Sequence, residues 1–168
     1  MTVERVILIM IWVLCIILIP VMIPKHRARE AVLLFLSTQM ITWSMSLLLV
    51  EWQAIENPIR EFPAASGSNF TNNYIFFPLV STLFALHYPS QKSVAGKFFY
   101  HVRTVLLIGI YLKLISSYTE LLDYIHFDIY LHMLLLWIVL NAVRKYAAWF
   151  FQREIRKEDI EGRAERRL

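Results

Sequence analysis

Apolar residues along this chain fall in long unbroken runs, not at the alternating or three-to-four-residue intervals of a half-buried soluble strand or helix. Five runs stand out, residues 6–23, 31–50, 70–88, 98–116 and 129–150, and most charged residues sit in the links between them. A helix rises about 1.5 Å per residue, so about 20 apolar residues cross a hydrocarbon core about 30 Å thick. The pattern predicts an all-α, polytopic membrane helix bundle with five transmembrane helices over residues 1–151. The third run is the weakest of the five. It is strictly apolar only from about Tyr74 and contains Pro78, although a proline near the start of a membrane helix is tolerated. Residues 152–168 predict a charged cytoplasmic helical tail, in which Glu154 and Lys157, and Asp159 and Arg163, stand at helical spacings.

The charges test the threading. Short cytoplasmic links collect Lys and Arg, and with five spans alternate links share a side. All but three of the 17 basic residues then fall together, in the link after the first span, around residues 92–103, and at the carboxyl end. Only Arg5, Arg60 and Lys113 lie on the opposite face, which also carries Glu51, Glu120 and Asp123. The expected orientation is therefore amino terminus out and carboxyl terminus in. The first run is read as a retained helix, because basic residues follow it and no small-residue cleavage pattern closes it.

Composition agrees: 58% of residues are apolar and 18% charged, against about a quarter charged in soluble domains. The net charge of +4 reflects the lopsided threading and predicts no nucleic-acid partner. A single cysteine, Cys15, excludes an intramolecular disulfide. With only four glycines, and no HExxH, CxxC, GxSxG or phosphate-binding glycine loop, nothing points to soluble-type catalysis, and no cofactor or metal is called for.

Polar residues inside the runs are the candidate chemistry. In the second run Gln39, Thr42 and Ser46 recur every three or four residues as one stripe, and Asn141 lies deep in the fifth. Such groups either join helices or line a path, and joining is the commoner use. On the outer face, Glu51, Glu120, Asp123 and His126 form a candidate polar cluster, with Asp123 and His126 a candidate pH- or cation-sensitive pair. Asp128 and His132, four apart, are also able to pair. The stretch "NPIREFPAASGSNFTNN" reads as an outer linker, with a glycosylation triplet at Asn69.

The segments "TQMITWSMSLLLVEWQAIENPIREF", "NYIFFPLVSTLFALHYPSQKS" and "YTELLDYIHFDIYLHM" carry a resemblance to an uncharacterised family of small polytopic membrane proteins of spore-forming Firmicutes. The positions that resemble the family's pattern are Trp43, Pro58, Arg60, Glu61, Tyr88, Pro89, Tyr118, Thr119 and Tyr124, along with Glu51 and His126. Asn57 and Phe127 depart from it. The resemblance implies a multi-pass protein of a bacterial cytoplasmic or spore membrane. It brings no activity with it.

The expected function is a non-enzymatic accessory or scaffold component of a bacterial membrane complex, in the sporulation or germination setting that the resemblance implies. Its partners are the lipid bilayer and either another membrane protein or a second copy. The alternative is a small oligomeric channel or transporter for cations, protons or a lipid-like solute, favoured by an acidic outer face. An enzyme acting on lipids or cell-wall precursors, with His126 as acid or base, ranks third.

Overall fold

A computed structural model describes the backbone over residues 2–165 and the side chains over residues 2–151. In chain order it contains α1 (Val3–Met22), a 3₁₀ turn (Lys25–Arg27), α2 (Ala28–Glu51), β1 (Ile55–Glu56), a π turn (Asn72–Phe76) running directly into α3 (Phe77–Leu86), α4 (Val94–Tyr118), β2 (Asp123–Tyr124) and α5 (Ile129–Glu165). The fold is all-α apart from that two-residue strand pair. Four helical segments are long and apolar enough to cross a membrane: Val3–Met22, Lys25–Glu51, Val94–Tyr118 and Ile129–Phe151. The third apolar run gives a shorter helix, Asn72–Leu86. α5 continues to Glu165, but the Glu154–Lys157 and Asp159–Arg163 pairings lie outside the residues whose side chains are described.

The short helix sits at the centre. Phe77, Pro78, Leu79, Ser81, Thr82, Phe84 and Leu86 of α3 are all buried, and α2, α5 and α1 pack on it. The long helices are the reverse. α1 buries only Leu8, Ile11 and Cys15, a single seam at spacings of three and four, while Val13, Ile16 and Ile17 are 51%, 58% and 55% exposed. Large aliphatic side chains bare over most of a helix surface need an apolar solvent, so the exterior matches lipid.

Both ends are tied across the chain. At one end β1 and β2 pair antiparallel, Ile55 opposite Tyr124 and Glu56 opposite Asp123, which joins the link after α2 to the link after α4. At the other, Arg27 grips both carboxylate oxygens of Glu30 at 2.7 Å and donates to the carbonyl of Leu86 at 2.5 Å, fixing the start of α2 to the end of α3. The Arg144 guanidinium covers the Tyr88 ring at 3.8 Å, bringing α5 to the same end. Between these ties, Ala31, Leu34, Leu86, Val139 and Val143 form a compact apolar cluster, and Phe84, Val105 and Leu140 form another.

Leu34 is fully buried in this packing. Leu34→Ala should lower stability by about 2–5 kcal/mol, the range for leaving a cavity in a packed core. Ile16→Ala, on the open face of α1, should change it far less, and thermal unfolding in detergent micelles compares the two.

Candidate functional site

The proline at 78 shapes the half of the bundle that carries the strand pair. It has no N–H, so neither carbonyl within reach one turn back, Asn73 at i−5 or Tyr74 at i−4, receives a bond from it. The backbone answers with the π turn, in which the Phe77 N–H reaches Asn72 O. The two carbonyls are served from α2: Thr42 Oγ1 donates to Asn73 O at 3.0 Å and Gln39 Nε2 to Tyr74 O at 3.2 Å. One turn further along α2, Ser46 Oγ lies 2.9 Å from Ser68 Oγ and accepts from Asn73 Nδ2 at 2.9 Å. The polar stripe of α2 therefore meets backbone and side chains of the segment entering α3.

That segment folds back over the bundle as a built cap. Glu61 Oε2 and Oε1 accept from the N–H groups of Phe70 and Thr71 at 3.0 and 2.9 Å, placing a carboxylate where a helix start carries positive partial charge. Asn69 Oδ1 accepts from Asn72 N at 2.9 Å, and Asn69 O from Asn73 Nδ2 at 2.8 Å. Arg60 donates to the carbonyls of Asn57 (2.7 Å) and Pro63 (3.4 Å), and Asn57 Nδ2 to Gly67 O at 3.1 Å. Gly67 is required here by space: a Cβ would lie 2.6 Å from Val50 Cγ1 of α2. Phe70 is held among Trp12, Trp43, Phe62 and Tyr74, and Trp12 Nε1 donates to Thr71 Oγ1 at 2.8 Å.

Beneath the cap lies a chamber of about 60 Å³. Its polar wall includes Ser46, Asn57, Asn69, Asn72, Asn73, Ser81 and His132, each buried, and its apolar wall includes Leu49, Ile55, Leu112, Leu122 and Leu136. Tyr111 donates to Asn72 Oδ1 at 2.5 Å from α4. From the outer link, the Tyr124 hydroxyl stands 3.0 Å from His132 Nδ1. Burial, and then the charge of Asp128, raise the Tyr124 phenol above its ordinary value, so it stays neutral. Asn69 Nδ2 is buried with no hydrogen-bond partner.

Of the outer-face candidates, Glu51, Glu120, Asp123 and His126 are all exposed; Asp123, His126 and Asp128 border one open hollow with Lys113, and among the described residues no hydrogen bond or ion pair joins Asp123 to His126. His132 turns its side chain to Tyr124, and only its backbone N–H meets Asp128, at the carbonyl. No group of three or more His, Cys, Asp or Glu is placed to hold a metal ion among the described residues. Asn141 donates to Trp137 O at 2.9 Å within its own helix and lies 3.5 Å from His101 Nε2. Of the motif-like positions, Thr119 bonds the Ile115 carbonyl to close α4, Tyr118 is 80% exposed, Pro58 is exposed and Pro89 partly so. The Pro89 carbonyl closes a turn onto Lys92 N.

Sequence reasoning missed Asn57, Ser68, Asn69, Asn72 and Asn73 as interior residues. Asparagine and serine near Gly and Pro ordinarily mark a solvated turn. The available signal was "SNFTNN" set directly against an apolar run, where side-chain amides have no water to turn to. Asn69, the residue of the glycosylation triplet, is fully buried. No family model, curated protein sequence or solved structure matches this chain.

Two outcomes follow. Thr42→Val keeps the shape and removes the donor to Asn73 O, and should cost about 1–2 kcal/mol. In a Pro78→Ala background, where an N–H returns, the same substitution should cost measurably less, as a double-mutant cycle of unfolding midpoints would read. Gly67→Ala should lift the cap from α2, seen as faster proteolysis within residues 52–69 at unchanged helix content.

Proposed function

We propose that this chain is a five-span, non-enzymatic component of a bacterial cytoplasmic or spore membrane, amino terminus out and carboxyl terminus in, that works within a larger membrane complex or as a self-assembly. The observation that carries this reading is the contrast between its two halves. The outer half is polar and carefully hydrogen-bonded under a folded cap, whereas the inner half is closed by Leu34, Leu86, Leu140 and Val143, each at most 5% exposed. A conducting route would need polar groups to continue inward past these side chains. The interior polar pair on that level, His101 and Asn141, is enclosed by Phe84 and Trp137.

Several features support the fifth span. The π turn and α3 run from the end that carries the strand pair to the end that carries Arg27 and Arg144. The link residues flanking the short helix, from Phe70 to Tyr88, extend it towards the length a bilayer needs. With the short helix spanning, the basic residues collect on one side as the positive-inside rule requires. The resemblance to small polytopic proteins of spore-formers supports the sporulation or germination setting.

Single cysteines at positions 92 and 168, in a Cys15→Ser background, should resist a membrane-impermeant maleimide in intact cells and react after lysis. Labelling of either from outside would overturn the threading. Affinity purification in mild detergent should return the chain with a partner, or with itself, at fixed stoichiometry. Recovery of a lone monomer that mediates cation or proton flux in proteoliposomes would replace the assembly reading with the transport one.

A further inference from the structure

We propose that the chamber under the outer cap is a binding site for a small neutral solute that both donates and accepts hydrogen bonds, of the amide or polyol class. The lining decides the class. No Asp, Glu, Lys or Arg borders the space. The Asn69 side chain is wholly buried and its Nδ2 has no partner, and the Ser81 hydroxyl is also buried on this wall. An idle buried N–H calls for an acceptor, because leaving it dry forfeits the hydrogen bond it had with water. That requirement disfavours a bare cation.

An anion is disfavoured by a separate argument. It would enter without a fixed counter-charge, since no Lys or Arg lines the space and its one titratable side chain, His132, is buried against Tyr124. The backbone N–H groups at the start of the helix that could have held it are already taken by the Glu61 carboxylate. What remains is a neutral group presenting an acceptor to Asn69 and a donor to free oxygens. Leu49, Leu112 and Leu136 on the facing wall suit a methyl or methylene group.

Size narrows the choice further. At about 15 Å³ for each water, a space of about 60 Å³ takes roughly four waters, or a solute with about as many non-hydrogen atoms. The chamber roof comes from both outer links, through Ile55 and Asn57 on one side and Leu122 on the other. The paired strands that join those links lie over the site. This proposal goes beyond the membrane-component reading and rests on it only for which compartment supplies the solute.

Acetamide, acetate and acetamidinium have the same shape and differ in charge, and thermal unfolding of the full chain in detergent micelles, followed by tryptophan fluorescence, compares them at matched ionic strength. Acetamide should raise the midpoint saturably, with half the effect in the millimolar range expected of so small a ligand. The two charged isosteres should give less than a tenth of that rise. Asn69→Ala should weaken the acetamide response at least tenfold. Ser81→Val, which fills part of the space, should abolish the response while raising the midpoint of the solute-free protein, a combination that a folding defect does not produce. Equal responses to all three isosteres, no response, or preference for a charged one would overturn the proposal and leave the chamber as a pocket of structural water. None of these outcomes bears on the cysteine labelling pattern, so failure here is separable from failure of the threading.

Discussion

Inside a bilayer every backbone N–H and C=O must find its partner within the protein, because there is no water to substitute. Pro78 withdraws one such donor from the most buried helix of the bundle, and much of the half that carries the strand pair is organised around the consequence. Two carbonyls, Asn73 and Tyr74, are left to side chains of α2, and the neighbouring backbone widens into a π turn to keep its own bonds. The widened turn moves Asn72 and Asn73 inward, where they recruit Tyr111 and Ser46. A single missing donor thus explains why polar residues from two other helices converge at one depth.

The cap depends on the same region. Glu61 satisfies the first N–H groups of the segment that leads into the π turn, and Arg60 and Asn57 hold the chain that delivers Glu61. A carboxylate facing free N–H groups and the positive end of a helix is favoured at a membrane interface, where solvent screening is incomplete. Arg60 and Glu61 are adjacent in sequence but face different duties, one bracing a loop and the other starting a helix.

The long helices were legible because run length alone dictates them: residues 31–50, 98–116 and 129–150 sit within α2, α4 and α5, and residues 6–23 overrun α1 by one residue. The third run was legible as a helix but not in its length or its bulge, which reflect Pro78 acting on residues five positions earlier. The stripe of Gln39, Thr42 and Ser46 could be read as a face. Its partners could not, since they belong to a link more than 20 residues away in sequence. The outer acids were visible as a charge pattern; that Asp123 would stand opposite Glu56 was not, since its partner strand belongs to a different link of the chain. The chamber was invisible for the same reason: its walls come from α2, the cap, α3, α4 and α5 together.

The strand pair itself is only two residues long on each side, with Glu56 facing Asp123 across it. Two acidic side chains opposite one another repel, and so short a ladder has little cooperative strength of its own. The ladder therefore adds little of its own to holding the two links together, and that task falls to the apolar residues of the links packed beneath it, Ala54 and Ile55 on one side and Leu122 on the other.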